Sequence, residues 1–216
     1  MAAVFVSCAM AFTASAVGLG ERCVTTAKFD GSIADAKTQL ESALERDQQF
    51  RTRLQSSSAA PTEPLERSKL LQVQQKIDLD NVKLLDSIVC KVGWPGIDAV
   101  GQRASLAAFL IVQHAELVVQ ESYLPMLQKA AASKQAQPSQ VATLEDRIHV
   151  RNKRPQRYAS QLCFLKGGGY AWQLIENEDE VAIDAARETV GLETIKSYAA
   201  NFKMEYTPPS TKACDR

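Results

Sequence analysis

The sequence predicts a predominantly helical α+β domain, with a central buried helix, surrounding helices and one C-terminal β-hairpin. Three observations predict it. Ala104 to Leu127 is a long apolar-rich run with helical spacing. The chain ahead of it repeats apolar residues every three or four positions, and past Ile148 two aromatic-containing runs flank Gly167-Gly168-Gly169. With 216 residues, 45% of them hydrophobic, the chain is long enough for one sizeable core and ordinary in composition for a globular protein.

Each element follows from a local pattern. Gly31-Ser32 can cap a helix reaching Leu54, with Ile33, Ala36, Leu40, Ala43, Leu44 and Phe50 as its apolar stripe. Ser56 to Pro64 is rich in turn-favouring residues and breaks it. From Leu65 to Val92 apolar residues recur at spacings near three and four, as one long helix or two joined near Asp78-Leu79-Asp80. Together these segments form a helical pair packed on the core. Gly93-Trp94-Pro95-Gly96 is a sharp break, and the central helix starts around Gly101. At about 100° per residue, Ala107, Ala108, Ile111, Val112, Ala115, Val118 and Val119 fill one arc and Leu106, Leu110, Leu117 and Leu124 a second. A helix apolar on two sides needs cover on two sides, and Pro125 kinks or ends it. Pro138-Ser139 opens a helix through Arg147. Gln156 to Phe164 and Tyr170 to Ile175 are the hairpin strands. Val181 to Val190 and Glu193 to Lys203 are the last helices before the Pro208-Pro209 tail.

Lys and Arg total 25, as do Asp and Glu, so no global field favours nucleic acid or an anionic membrane, and neither is expected as a partner. Met1 to Gly20 carries no charge, and its apolar run is followed by Ala14-Ser15-Ala16, a small-x-small pattern of the kind cut by signal peptidase. This reads as an export signal cleaved near Ala16, giving a periplasmic or secreted protein with no stable membrane span; a buried N-terminal helix or strand is the alternative. The signal lacks a basic residue ahead of its apolar run, which a start codon assigned too far downstream explains. Cleavage leaves Cys23, Cys90, Cys163 and Cys214, an even set with three pairings open. A Cys23–Cys214 bridge is one of them and would tie down both termini. The expected plan is 1–16 export signal, 17–92 amphipathic helical region, 93–204 main domain and 205–216 tail.

Chemistry is sought among polar groups that the pattern sets inside apolar surroundings. His114 projects between the two arcs of the central helix, beside Gln113. Asp146 and Arg147 come from the next helix, and Gln156, Tyr158 and Gln161 from the first strand. Alternation puts Gln156, Tyr158 and Ser160 on one strand face and Gln161 on the other. A His for proton transfer, an Arg for an anion and a Tyr or Gln for orientation would suit a phosphate, a carboxylate or a peptide end. The candidate catalytic set is therefore His114, Arg147 and Tyr158, with Gln113, Asp146, Gln156 and Gln161 binding the ligand. The structural alternative has the same groups capping a helix and holding three elements in register. No cofactor is expected, and with His114 and His149 the only histidines and no zinc-type spacing, no metal. The basic cluster Arg151, Lys153, Arg154 and Arg157 either pairs with the acidic Glu176 to Glu180 stretch or draws an anionic ligand.

Several of these residues recur as a set. Gly93-Trp94-Pro95-Gly96, Val112-Gln113-His114-Ala115, Leu124-Pro125, Leu144-Glu145-Asp146-Arg147, Gln156-Arg157-Tyr158-Ala159-Ser160-Gln161 and Asp184-Ala185-Ala186-Arg187, in that order, resemble DUF6624, an uncharacterised bacterial family. The resemblance spans Gly93 to Tyr198 and brings no reaction with it. Where the family tends to show Tyr-Gly-Thr-Gln, this chain has Ala159 and Ser160, so alanine stands where the backbone favours glycine. Two classes of function follow. One is an exported pocket for a small anionic ligand, of hydrolase or transferase type. The other is a non-catalytic protein-binding protein of inhibitor or immunity type.

Overall fold

The structure, a computed structural model, describes residues 18–26, 28–55, 64–164 and 169–206. The export signal, the break after the first long helix, most of the glycine turn and the Pro208-Pro209 tail lie outside the described residues. Those described form α1 (Leu19–Thr25), α2 (Ile33–Gln55), α3 (Pro64–Val92), α4 (Ile97–His114), α5 (Leu117–Ala132), α6 (Pro138–Arg151), β1 (Leu162–Phe164), β2 (Tyr170–Trp172), α7 (Glu180–Thr189) and α8 (Ile195–Asn201). The fold is α+β and predominantly helical, with one antiparallel hairpin in the register Leu162↔Trp172.

Helix α2 starts on a capping box: the Asp35 amide donates to Ser32 Oγ and the Ser32 amide to the Asp35 carboxylate. Helix α3 is continuous through Asp78-Leu79-Asp80. The two run antiparallel, joined by Lys91 to the Gly31 carbonyl at one end and Arg51 to Asp78 at the other. Their apolar stripes meet α4 around buried Leu40, Ala43, Leu85, Ile88, Ala108 and Val112. Helices α5 and α6 close the far side through Leu127 and Leu144. A second core joins the hairpin to α7 and α8 through Trp172, Ile183, Ile195 and Ala199. No helix among the described residues is long and apolar enough to cross a membrane.

Three expectations need correction. The run from Ala104 to Leu127 is not one helix. Ala115 and Glu116 are extended and α4 stops at His114. The carbonyls this break frees are taken up by side chains: Gln120 Nε2 donates to Gln113 O and Arg151 Nη1 to Ala115 O, each at 2.9 Å. Pro125 instead sits inside α5, where the carbonyl it orphans belongs to exposed Glu121. The kink lies at Gly101 (φ 82°). Second, residues 156–161 are not strand. Gln156 makes an isolated bridge to Ile175 and Ala159 has a φ of 49°, so the alternation proposed for Gln156, Tyr158, Ser160 and Gln161 does not apply. Third, Cys23 pairs with Cys90, not Cys214, at a Cα separation of 5.4 Å; Cys163 is also disulfide-bonded.

The Cys23–Cys90 bridge fastens α1 to the end of α3. Beside it Arg22 lies 3.1 Å from Asp86, whose carboxylate also accepts from Tyr123 at 2.6 Å. Burial, helped by this carboxylate, pushes the Tyr123 phenol well above its ordinary range. Helix α1 has no fully buried residue; Leu19 packs partly buried on the core, and the covalent and ionic ties add to that contact. Replacing both cysteines by alanine should lower the unfolding free energy in urea by about 2–4 kcal/mol, the usual scale for a long closed loop. A loss under about 1 kcal/mol would mean the bridge does little to restrain the unfolded chain.

Candidate functional site

Polar residues spaced i, i+4 on three helices meet where α4 ends. Helix α2 supplies Asp47 and Arg51, α3 supplies Gln74 and Asp78, and α6 supplies Arg147 and Arg151. Arg51 bridges two carboxylates, with Nε 2.8 Å from Asp47 and Nη2 2.6 Å from Asp78. Gln74 Nε2 donates to the same two, at 3.2 and 2.9 Å. His114 Nδ1 lies 3.1 Å from Asp47 Oδ2, but the ring N–H does not line up with that oxygen and makes no hydrogen bond. Asp78, His114, Ala115 and Glu116 open onto a cleft of about 310 Å³ between α3 and the α4–α5 break. A larger groove of about 620 Å³ on the outer face of α2 and α3 holds none of the residues expected to do chemistry.

The electrostatics separate the two aspartates. Burial pushes the Asp47 carboxyl up, but His114 and Arg51 together outweigh it and hold it below the ordinary carboxylate value. For Asp78 burial wins over Arg51 and Gln74, and the carboxyl is raised. Arg147 is the exceptional group. Its Nε is buried without a partner, and among the described residues no carboxylate pairs with it. Burial and the neighbouring charges of Arg151 and Arg51 push its guanidinium down to about 10. A cation held in this way is suited to an anion from outside the chain.

Three of the remaining expected residues, Asp146, Gln156 and Gln161, hold backbone. The Asp146 carboxylate accepts from the amides of Arg157, Tyr158 and Ser160 at 2.8–3.2 Å. Gln156 donates to the carbonyls of Gln161 and Gln173 and accepts from the Gln161 amide. Gln161 Nε2 reaches back to Thr143 O on α6. Tyr158 is buried, with its ring 5.5 Å from the Arg157 guanidinium carbon, and no described contact joins it to His114. Gln113 is buried beside the α4 break with an unpartnered Oε1. The structure thus brings His114 and Arg147 to one region, with Gln113 nearby, and sets Asp146, Gln156, Tyr158 and Gln161 in the neighbouring loop that α6 carries.

That loop is locked from the other side by Arg187, which is 1% exposed. Its Nη1 donates to Tyr158 O at 2.7 Å, its Nε to Glu193 O, and its guanidinium carbon lies 5.0 Å from the Tyr198 ring centroid. Tyr198 in turn donates to Ser160 O at 2.8 Å.

The family described as "Family of unknown function (DUF6624)" matches residues 34–207. The chain belongs to the DUF6624 family. No curated protein and no solved structure matches it. The DUF6624 match takes in α2 and α3 as well as the motifs from Gly93 onward, so Asp47, Arg51, Gln74 and Asp78 all fall inside the family's span. Sequence reasoning missed these four. A signal was present: 40, 43, 47 and 51 continue the buried stripe of α2, and 74, 78, 81, 85 and 88 that of α3. Polar residues at stripe positions mark a polar site inside a helical core.

Buried Arg187 and partly buried Arg147 of this DUF6624 domain should answer mutation differently. Arg187→Gln breaks a satisfied network and should cost about 2–4 kcal/mol in urea unfolding, whereas Arg147→Gln should leave stability unchanged or raise it. Equal losses at both positions would show that Arg147 is structural. Ala159→Gly should add about 1 kcal/mol, because the left-handed backbone there strains any residue with a Cβ; a loss would mean the alanine methyl packs for more than that strain.

Proposed function

We propose that the region around His114 and Arg147 binds a small anionic ligand and supports proton transfer to or from it, in a hydrolase- or transferase-type reaction. The observation that carries this is Arg147, a partly buried cation whose inaccessible Nε makes no hydrogen bond, set near Arg51 and Arg151 and without an anionic partner among the described residues. A cation is costly to keep there unless something pairs with it. Arg147 holds the anion. Arg151, anchored on the Ala115 carbonyl at the cleft edge, adds to the field. His114, with Nδ1 3.1 Å from Asp47 Oδ2 and its ring at the cleft, transfers the proton. Asp146, Gln156 and Gln161 act through the loop they hold, Tyr158 belongs to that loop, and Gln113 presents a free amide oxygen to the same region.

Export fits this reading. The Cys23–Cys90 bridge and the disulfide-bonded Cys163 suit an oxidising compartment, such as the periplasm or the exterior of the cell. A second reading, binding of a protein partner without catalysis, is favoured by the apolar side chains Leu65, Leu71, Val73 and Leu79 that α3 leaves exposed.

Screening phosphate, short carboxylates and phosphoesters by nuclear magnetic resonance shift perturbation separates the two readings. Anion binding should fall about 10- to 100-fold in Arg147→Gln, the scale of a charge-assisted hydrogen bond, while Leu65→Ser and Leu71→Ser leave it intact. If no anion perturbs the protein, or if Arg147→Gln binds as well as the unaltered chain, the anion reading fails and the α3 surface becomes the site to test.

A further inference from the structure

Asp47, Asp78 and His114 each offer one ligand atom, and these atoms lie within 4.8 Å of one another. The surrounding hydrogen bonds leave room for a shared partner. Arg51 and Gln74 converge on one oxygen, Oδ1, of each carboxylate. Asp47 Oδ2, which also accepts from Gln48, remains 3.1 Å from His114 Nδ1. Two buried polar atoms here make no hydrogen bond: His114 Nδ1, for all its closeness to Asp47, and Gln74 Oε1. Gln74 is only 5% exposed, its amide lies against both carboxylates, and a turn of about 180° about its last bond exchanges oxygen for nitrogen. Two carboxylates against one guanidinium leave the cluster one negative charge when the imidazole is neutral. The C-terminal pole of α4, at His114, adds to the attraction for a cation.

We propose that Asp47, Asp78 and His114, with Gln74 as a fourth donor, hold one divalent transition-metal ion of the zinc or manganese class at the inner end of the cleft. An imidazole nitrogen with carboxylate and amide oxygens suits such an ion better than calcium or magnesium, which take oxygen ligands. Tetrahedral coordination at about 2.1 Å needs donors about 3.4 Å apart, so the cluster closes by up to about 1.4 Å through side-chain rotation. Arg51 then orients both carboxylates from outside the coordination shell, as hydrogen-bonded neighbours of metal ligands do. Because Arg51 also removes one negative charge, the site is weaker than an uncompensated pair of carboxylates. With the ion in place His114 would be a ligand, and the ion would supply Lewis-acid chemistry at the cleft in place of proton transfer by the imidazole. The proposal rests on the anion reading only for the identity of the cleft.

Titrating the chelator-treated full chain with Zn²⁺ alone and with Mn²⁺ alone, in phosphate-free buffer, tests it by calorimetry. The chain holds two histidines, so ¹⁵N resonance of the imidazoles identifies the ligand during the Zn²⁺ titration. One equivalent should bind with a Kd on the order of micromolar, and His114 should shift while His149 does not. Asp78→Asn should weaken binding at least about tenfold with an unchanged circular dichroism spectrum, and Arg147→Gln should leave it intact. Absence of a saturable one-equivalent event with both ions, or a shift at His149 alone, overturns the proposal from the unaltered protein, whatever the variants do. Loss of anion binding in Arg147→Gln with no metal bound would leave the anion reading standing and remove the ion. Metal binding without any anion response would do the reverse.

Discussion

The Asp146 carboxylate is the interaction on which the two halves of the molecule depend. It leaves α6 to gather the amides of Arg157, Tyr158 and Ser160, a stretch that forms neither helix nor regular strand and whose donors would otherwise be buried unpaired. Burial raises this carboxyl against the pull of those amides, so the bonds are held in a poorly solvated place where each counts for more. Arg187 grips the carbonyls of the same stretch from α7, and Trp172 Nε1 donates to Ala159 O from the hairpin. The loop is thus a polar seam between two apolar cores, and its one strained residue, Ala159, is held by partners on every side.

The residue after Asp146 faces the opposite way. A step of about 100° along α6 takes the chain from a fully satisfied acid to a base with an orphaned Nε. Two neighbouring residues on one helix therefore stand in different surroundings, one with its carboxylate paired to backbone amides and the other with an Nε that makes no hydrogen bond. The same division runs through the helical pair. Near the α2 N-terminus and the α3 C-terminus the stripe is Ala36, Leu40, Leu85 and Ile88. Towards the other end it becomes Asp47, Arg51, Gln74 and Asp78. Burying such a set in place of leucines lowers stability unless its charges are used, and the break after His114 is where it opens to the cleft.

How much of this was legible in the sequence depends on whether the signal was periodic or relational. The long helices were legible, because apolar spacing fixes a buried face, and so was the hairpin. The break at Ala115-Glu116 was not: both residues are helix-compatible, and the chain leaves the helix there because Gln120 and Arg151 take up the freed carbonyls, one of them from 36 positions away. His114 and Arg147 stood out as polar residues among apolar ones. Asp47 and Asp78 did not, because on amphipathic helices a charge reads as solvent-facing until the stripe is traced through it. The strand geometry assumed for Gln156, Tyr158 and Gln161 hid that the Gln156 and Gln161 side chains hydrogen-bond the backbone of an irregular loop.

By itself, then, the sequence determined the class of fold, the helical stripes and the residues set apart as polar groups among apolar ones. Each of these is a local property, written in spacing of three or four residues or in one side chain's chemistry. Only the tertiary structure decided which cysteine pairs with Cys23, where the central helix stops, and that three separate polar pairs meet at His114. Those outcomes depend on contacts between residues tens of positions apart, whose geometry exists only once the helices have packed.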